Sequence, residues 1–181
     1  MKKIFLVLAA MFCVATVSAQ SHKWAAGLRV GSGLQAQGEY SYADNRYVEA
    51  RFGMGFFGGL SADFTALHNW NIANWDWTPG TATWFLDAGC GLNIGGHPYR
   101  EAYEGEVIKG SYAYFGVAGQ VKFGLKFSKV PIRLAIDYTP VIGAEVASAK
   151  AEVNGEVYKA SASGFHGAGL GNFGLSATYC F

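Results

Sequence analysis

Charge, proline and long apolar runs are all scarce in this chain. Only 15% of its 181 residues are Asp, Glu, Lys or Arg, with a formal net charge of +1, against about 25% charged residues in ordinary globular chains. So neutral a balance excludes the electrostatic footprint of a nucleic-acid binder, and an apolar content of 51% excludes a disordered tail. Beyond residue 19 no apolar run approaches the ~20 residues that a spanning helix needs. Four histidines lack metal-ligand spacing, so neither a metal nor a cofactor is expected. Of three cysteines, Cys13 falls in the first apolar segment, which leaves Cys90 and Cys180 for at most one disulfide.

What is present begins with an export pattern. Lys2 and Lys3 precede an apolar stretch from Ile4 to Val17, and Val17-Ser18-Ala19 supplies small residues before Gln20. This layout predicts a secretory signal peptide over 1–19, cleaved after Ala19. The remainder, 20–181, has the length of one domain.

Alternation dominates that remainder. Large apolar residues take one parity, and glycine, polar or charged residues take the other, over eight segments. They run about Lys23 to Gly31, Leu34 to Tyr42, Tyr47 to Phe56, Leu60 to Trp70, Ala82 to Ile94, Tyr112 to Phe127, Ile132 to Thr139 and Asn172 to Phe181. Leu67 and His68 are expected to break the parity of the fourth. A helical reading fails, because apolar residues two apart would scatter around a helix and its interior glycines would destabilise it. The pattern predicts an all-β chain.

Alternation alone does not say whether the apolar face points inward, as in a soluble lipocalin-like carrier, or outward into lipid. The polar parity carries Arg29, Glu39, Glu49, Arg51, Asp63, Asp87, Lys122, Lys126, Arg133 and Asp137, balanced in sign and interspersed with glycine. A soluble exterior normally carries more charge. Inside a narrow barrel such charges must be paired, and small neighbours relieve crowding. The expected fold is therefore an eight-stranded antiparallel up-and-down transmembrane β-barrel with a polar interior filled by side chains, and these ten residues form its interior charge network. If the strands run up and down from the periplasmic side, Trp24, Tyr40, Tyr42, Trp70, Trp84, Phe127, Tyr179 and Phe181 all fall at that end on the apolar parity. Such a ring is the interfacial aromatic girdle of a membrane barrel. The turns at Ala43 to Arg46 and Ser128 to Pro131 are then short and periplasmic, while 95–111 and 143–169 are long extracellular loops. Asn71 to Gly80 reads as an unusually long periplasmic turn. By the same parity Cys90 faces lipid and Cys180 the lumen, so they should not meet.

The chain closes on Phe173, Leu175, Ala177, Tyr179 and Phe181, apolar or aromatic at every second place. This resembles the terminal signal by which the barrel-assembly machinery recognises outer-membrane proteins. With the export signal and eight alternating segments, the chain resembles the small eight-stranded outer-membrane β-barrel proteins of Gram-negative bacteria. The resemblance implies an outer-membrane location, contact with outer-membrane lipid and lipopolysaccharide, and a monomer. It carries no catalytic motif. An enzyme on such a scaffold would resemble the lipid A acyl-modifying barrels, and His97, His166, Ser111, Ser163 and Glu145 are the available pieces, without nucleophile-base spacing. A pore is opposed by geometry, since eight strands leave a lumen that side chains fill. The expected role is structural or surface interaction, such as adhesion or envelope integrity. Tyr103-Glu104-Gly105-Glu106-Val107 and Val153-Asn154-Gly155-Glu156-Val157-Tyr158 read as hairpin tips that present edges or side chains to a surface partner.

Overall fold

The computed structural model describes residues 23–55, 61–103, 106–153, 156–167 and 172–181, and within them every regular element is a β-strand. These are β1 (Trp24–Val30), β2 (Gly33–Ala43), β3 (Arg46–Gly55), β4 (Ser61–Thr78), β5 (Ala82–Tyr103), β6 (Glu106–Phe127), β7 (Ile132–Tyr138), β8 (Val141–Val153), β9 (Glu156–His166) and β10 (Phe173–Cys180). Antiparallel pairing runs from β1 to β7 in chain order, and β10 pairs with both β7 and β1, so eight strands close a ring. The all-β, antiparallel, up-and-down barrel expected from the alternation is the fold. The segment 1–19 and the link at Phe57-Gly58-Gly59 lie outside the described residues.

Alternation is obeyed nearly residue by residue. Along β3 exposed and buried side chains alternate without a break, with Val48, Ala50, Phe52 and Met54 outward and Tyr47, Glu49 and Arg51 inward. This follows from the two-residue period of a strand. Leu67 and His68 break the apolar parity of β4 while its strand alternation continues: Leu67 points inward at 3% exposure, and His68 takes the outward position. What changes there is the chemistry of each face, since Leu67 joins Ala118 and Val141 in a small apolar cluster inside the ring.

Three segments expected to be turns or loops are strand. Asn71 to Thr78 continues β4 and pairs with β5, with register irregularities between Asn71 and Ala73 and between Trp75 and Thr78. Asn71 donates to the Asp87 carboxylate at 2.8 Å, so tertiary pairing overrides the poor strand preference of an asparagine-rich sequence. The reversal is a tight turn closed by Thr81 N–H to the Thr78 carbonyl at 3.0 Å, in which Gly80 has φ 71°, a conformation that glycine adopts without steric cost. The predicted loop 95–111 is the extension of β5 against β6, in register as far as Tyr103↔Glu106. The predicted loop 143–169 is mostly the β8–β9 hairpin.

Thr139 and Pro140 mark the point where β6 passes from β7 to β8 without a change of register. β6 pairs with β7 over Val121–Lys126 and with β8 over Lys109–Ala118, and the two partners are separated by Thr139 and Pro140. Proline donates no hydrogen bond, so the ladder is interrupted there. Its carbonyl still accepts from Gly119 N–H at 2.9 Å. β5, β6, β8 and β9 thus continue past the ring as a four-stranded sheet on one side of the long-hairpin end.

Candidate functional site

The lumen is ionic. Arg29, Glu39, Glu49, Arg51, Asp87, Lys122 and Asp137 are each 3% exposed or less, so the strand alternation delivers charge to the axis of the ring. Arg29 meets Asp137 at 2.9 Å, and Arg51 bridges Asp137 at 3.5 Å to Glu49 on its own strand. Lys122 Nζ lies 2.6 Å from Glu49 and 3.1 Å from Glu39, whose other oxygen accepts from Arg133 at 3.1 Å. One continuous chain of opposite charges therefore runs from β1 through β7 and β3 to β6 and β2. Its cations also lie near rings, with Lys122 over Tyr47 at 5.4 Å and Arg133 over Phe85 at 5.0 Å.

Three of the ten residues expected in this network stand outside its ion pairs among the described residues. Asp63 accepts from the Gln35 amide at 2.7 Å, and Asp87 accepts from the Tyr47 hydroxyl at 2.8 Å and from Asn71. Lys126 is exposed at the short-turn mouth. Asp87 is the cross-strand neighbour of Lys122, yet the lysine reaches across the lumen instead. The neutral partners Gln35, Gln37, Asn69 and Thr139 carry much of the remaining hydrogen bonding. Their polar parity was the only sequence signal for them.

Among the described residues, two separate cavities flank the ion chain. One of about 420 Å³ opens at the short-turn end and is lined by Lys23, Glu39, Arg46, Asp87, Lys126 and Arg133, among others. The other, about 40 Å³, is lined by Arg29, Gln35, Arg51, Asp63 and Tyr114. Between them Glu49, Lys122 and Asp137 are buried in mutual contact or in contact with Arg51, so side chains occupy the axis.

The outer face is apolar and exposed. Phe52, Phe64, Leu92, Ile94, Phe115, Val117 and Leu175 are each more than 40% exposed. Near the short turns the outward aromatics pair: Trp24 with Tyr40 at 4.5 Å between ring centres, and Tyr179 with Phe181 at 6.4 Å. Trp84 stacks on Phe123 at 5.2 Å and meets Trp77 at 5.5 Å, which in turn stacks on Trp75. Tyr42 hydrogen-bonds His68, whose ring packs edge-on against Trp70. Phe127 sits at the same end, opposite Ala82. Trp75, Trp77, His68 and Phe123 join the expected aromatic residues there. Trp75 and Trp77 fall within Asn71 to Gly80, where the sequence predicts a turn rather than a strand face. The terminal segment Phe173, Leu175, Ala177, Tyr179, Phe181 lies on the outward parity of β10, the strand that closes the ring.

A second polar cluster lies on the inward face of the extension. Glu145 lies 3.1 Å from His166 Nδ1 and accepts from the Tyr112 hydroxyl, which is also 2.8 Å from His166. The His166 ring stacks on Tyr114 at 4.4 Å, and the His97 ring lies 5.0 Å from that of Tyr112. The Tyr112 and His166 contacts hold the Glu145 carboxyl below its usual range. Burial first, and the Glu145 carboxylate second, push the Tyr112 phenol up to about 12. Of the five loop residues considered for an acyl-modifying site, His166 and Glu145 come together, and His97 packs against their shared partner Tyr112. The two serines do not: Ser111 pairs with Ser148 at 2.9 Å on the opposite face, and Ser163 stands in register with Val146 on that same face. Cys90 is exposed and Cys180 buried, both as free thiols. No group of three or more His, Cys, Asp or Glu among the described residues is placed to hold a metal.

No protein-family model matches the chain, and no curated protein matches it by sequence. Among solved structures, the N-terminal β-barrel domain of Pseudomonas aeruginosa OprF is similar to it, at 12% identity and a TM-score of 0.48, covering 90% of this chain and 100% of that one.

Proposed function

We propose that this chain is an integral outer-membrane β-barrel whose ring is a plugged anchor and whose extension is a contact surface for adhesion or envelope integrity. One observation carries the reading: exposed hydrocarbon surrounds a lumen of fully buried ion pairs. In water this arrangement is inverted, because large apolar side chains would face solvent while ions lose their hydration. In a bilayer it is the stable order, since backbone groups are satisfied by ring closure and lipid covers the apolar belt. The outward aromatics at the short turns then sit at headgroup level. Export by the predicted signal peptide and insertion through the terminal segment of β10 belong to the same reading.

The ion chain argues for an anchor rather than a channel, because the cavities at its two ends are separated by buried side chains. Surface contact is assigned to the β5–β6 and β8–β9 hairpins, which rise beyond the ring. Among the described residues β9 pairs only with β8, which leaves its second edge to accept a partner strand. No catalytic step is assigned, since neither candidate serine shares the face of His166 and Glu145.

Spin labels at Leu86 and Asp87 test the orientation. The label at Leu86 is expected to contact lipid-soluble oxygen and that at Asp87 to be shielded; the reverse result ends the membrane reading. Deleting 150–159 while heat-modifiable migration is retained is expected to abolish binding to neighbouring-cell or host surfaces, and unchanged binding removes the contact role.

A further inference from the structure

The outward face of the extension carries an ordered series of cross-strand rows. Nearest the ring, Leu92, Val117 and Ile142 stand side by side, followed by Ile94, Phe115, Ala144 and Phe165. Ala113, Val146 and Ser163 come next, then the hydroxyl row Ser111, Ser148 and Ser161. The series ends in Arg100, Lys109, Lys150 and Lys159, each the direct register partner of the next on β5, β6, β8 and β9, and all four exposed. Among the described residues none of them enters an ion pair. Glu152 stands two register positions beyond Lys150 on β8, opposite Val157, and Glu145 belongs to the other face.

Four cations in direct cross-strand contact repel one another, and like charges so placed destabilise a sheet. Neighbouring strands are about 4.8 Å apart, so the row spans about 14 Å, wide enough for more than one anionic group. Along the strands, about 14 Å separates the Val146 row from the Lys150 row. The anion that the row accommodates therefore stands above an apolar zone, with a hydroxyl-rich zone between. We infer that this face binds the headgroup of a phosphorylated glycolipid of the outer leaflet: acyl chains against the apolar rows, sugar hydroxyls against the serines and phosphates on the arginine and lysines. Guanidinium and ammonium groups are the donors that phosphate recognition requires, and the flexible lysine stems adjust to its position. The inference rests on the membrane reading above.

The full chain, folded in neutral detergent and analysed by native mass spectrometry, is offered lipopolysaccharide, the same lipid stripped of phosphate, phosphatidylglycerol or inorganic phosphate. Bound lipopolysaccharide is expected to survive on the wild type and on Lys129→Gln. In the variant carrying Arg100→Gln, Lys109→Gln, Lys150→Gln and Lys159→Gln its affinity is expected to fall by more than about tenfold, given about fivefold for each near-surface cation. The phosphate-stripped lipid should be lost from wild type and variant alike. Equal retention of lipopolysaccharide by the variant overturns the site. Equal retention of phosphatidylglycerol, or full displacement by millimolar inorganic phosphate, overturns the glycolipid as its source. A wild type that neither floats with phosphatidylcholine vesicles nor shows heat-modifiable migration overturns the membrane reading along with the site. One that floats yet shows no loss on substitution overturns the site alone.

Discussion

Strand β6 passes through two environments, and its lysines show the difference. Lys122 is 1% exposed and held by two carboxylates, whereas Lys109 is exposed in a row of like charges. The strand geometry is the same at both places. What differs is the number of neighbours the ring supplies: closure surrounds Lys122 with strands on every side, while the extension leaves both faces of the sheet open. Charge in the ring is therefore structural, whereas the cation row of the extension enters no ion pair among the described residues.

Replacing each kind of lysine by a chain of similar length separates the two most widely. Lys122→Met is expected to cost about 3–5 kcal/mol in urea unfolding from vesicles, because it leaves Glu39 and Glu49 buried with fewer partners. Lys150→Met should stay within about 0.5 kcal/mol of wild type in the same assay. Similar losses would erase the distinction.

Backbone proximity in the ring gives the next effect. A Cβ at Gly27 would lie 2.0 Å from the Ala177 carbonyl oxygen and 2.7 Å from the Thr178 Cα, both backbone atoms of the closing strand. Gly27→Ala is expected to destabilise by about 1–3 kcal/mol, as overpacking does. Gly38, with no described atom within 4 Å of such a Cβ, should accept alanine within about 0.5 kcal/mol in the same urea titration.

A smaller loss, about 0.5–1.5 kcal/mol, is expected for Trp77→Ala, which removes the ring that stacks on Trp75 and meets Trp84 at a tilt. Tryptophan emission should shift as the remaining pair loses its neighbour.

The subtlest effects belong to the inward cluster of the extension. The phenol of Tyr112 has a raised pKa, so its contribution is complete below the ordinary tyrosine range and is lost as pH rises through about 12. Glu145 has a lowered pKa, so its contribution is present above the ordinary carboxylate range and is lost as pH falls through the lowered value. In ultraviolet phenolate titration Glu145→Gln is expected to bring Tyr112 part of the way back toward its ordinary ionisation, since burial remains. An unchanged titration would show that the carboxylate contributes nothing.

The ring was legible in the sequence because every second side chain reports its face. Strands β1, β2, β3, β7 and β10 fall within a residue or two of the segments read from alternation alone. Two things escaped. The extensions of β5 and β6 and the β8–β9 hairpin carry tyrosines, serines and charges on both parities, so the alternation loses contrast there. Asn71 to Thr78 escaped because its ladder contains register shifts that a strict two-residue period does not follow. Which charges pair was also unreadable. Lys122 passes over its register neighbour Asp87 for Glu49 across the lumen, and that choice depends on how the ring closes.

The one-sided extension has a consequence for how such barrels would crowd in a membrane. Because the sheet of β5, β6, β8 and β9 rises from one flank only, while β1, β2 and β3 end at the rim, each barrel has a tall side and a bald side. Rotation about its own axis therefore changes what a neighbour meets. A patch of such proteins would have an azimuth as well as a density, set by where β10 stops beside Tyr138 and β8 goes on.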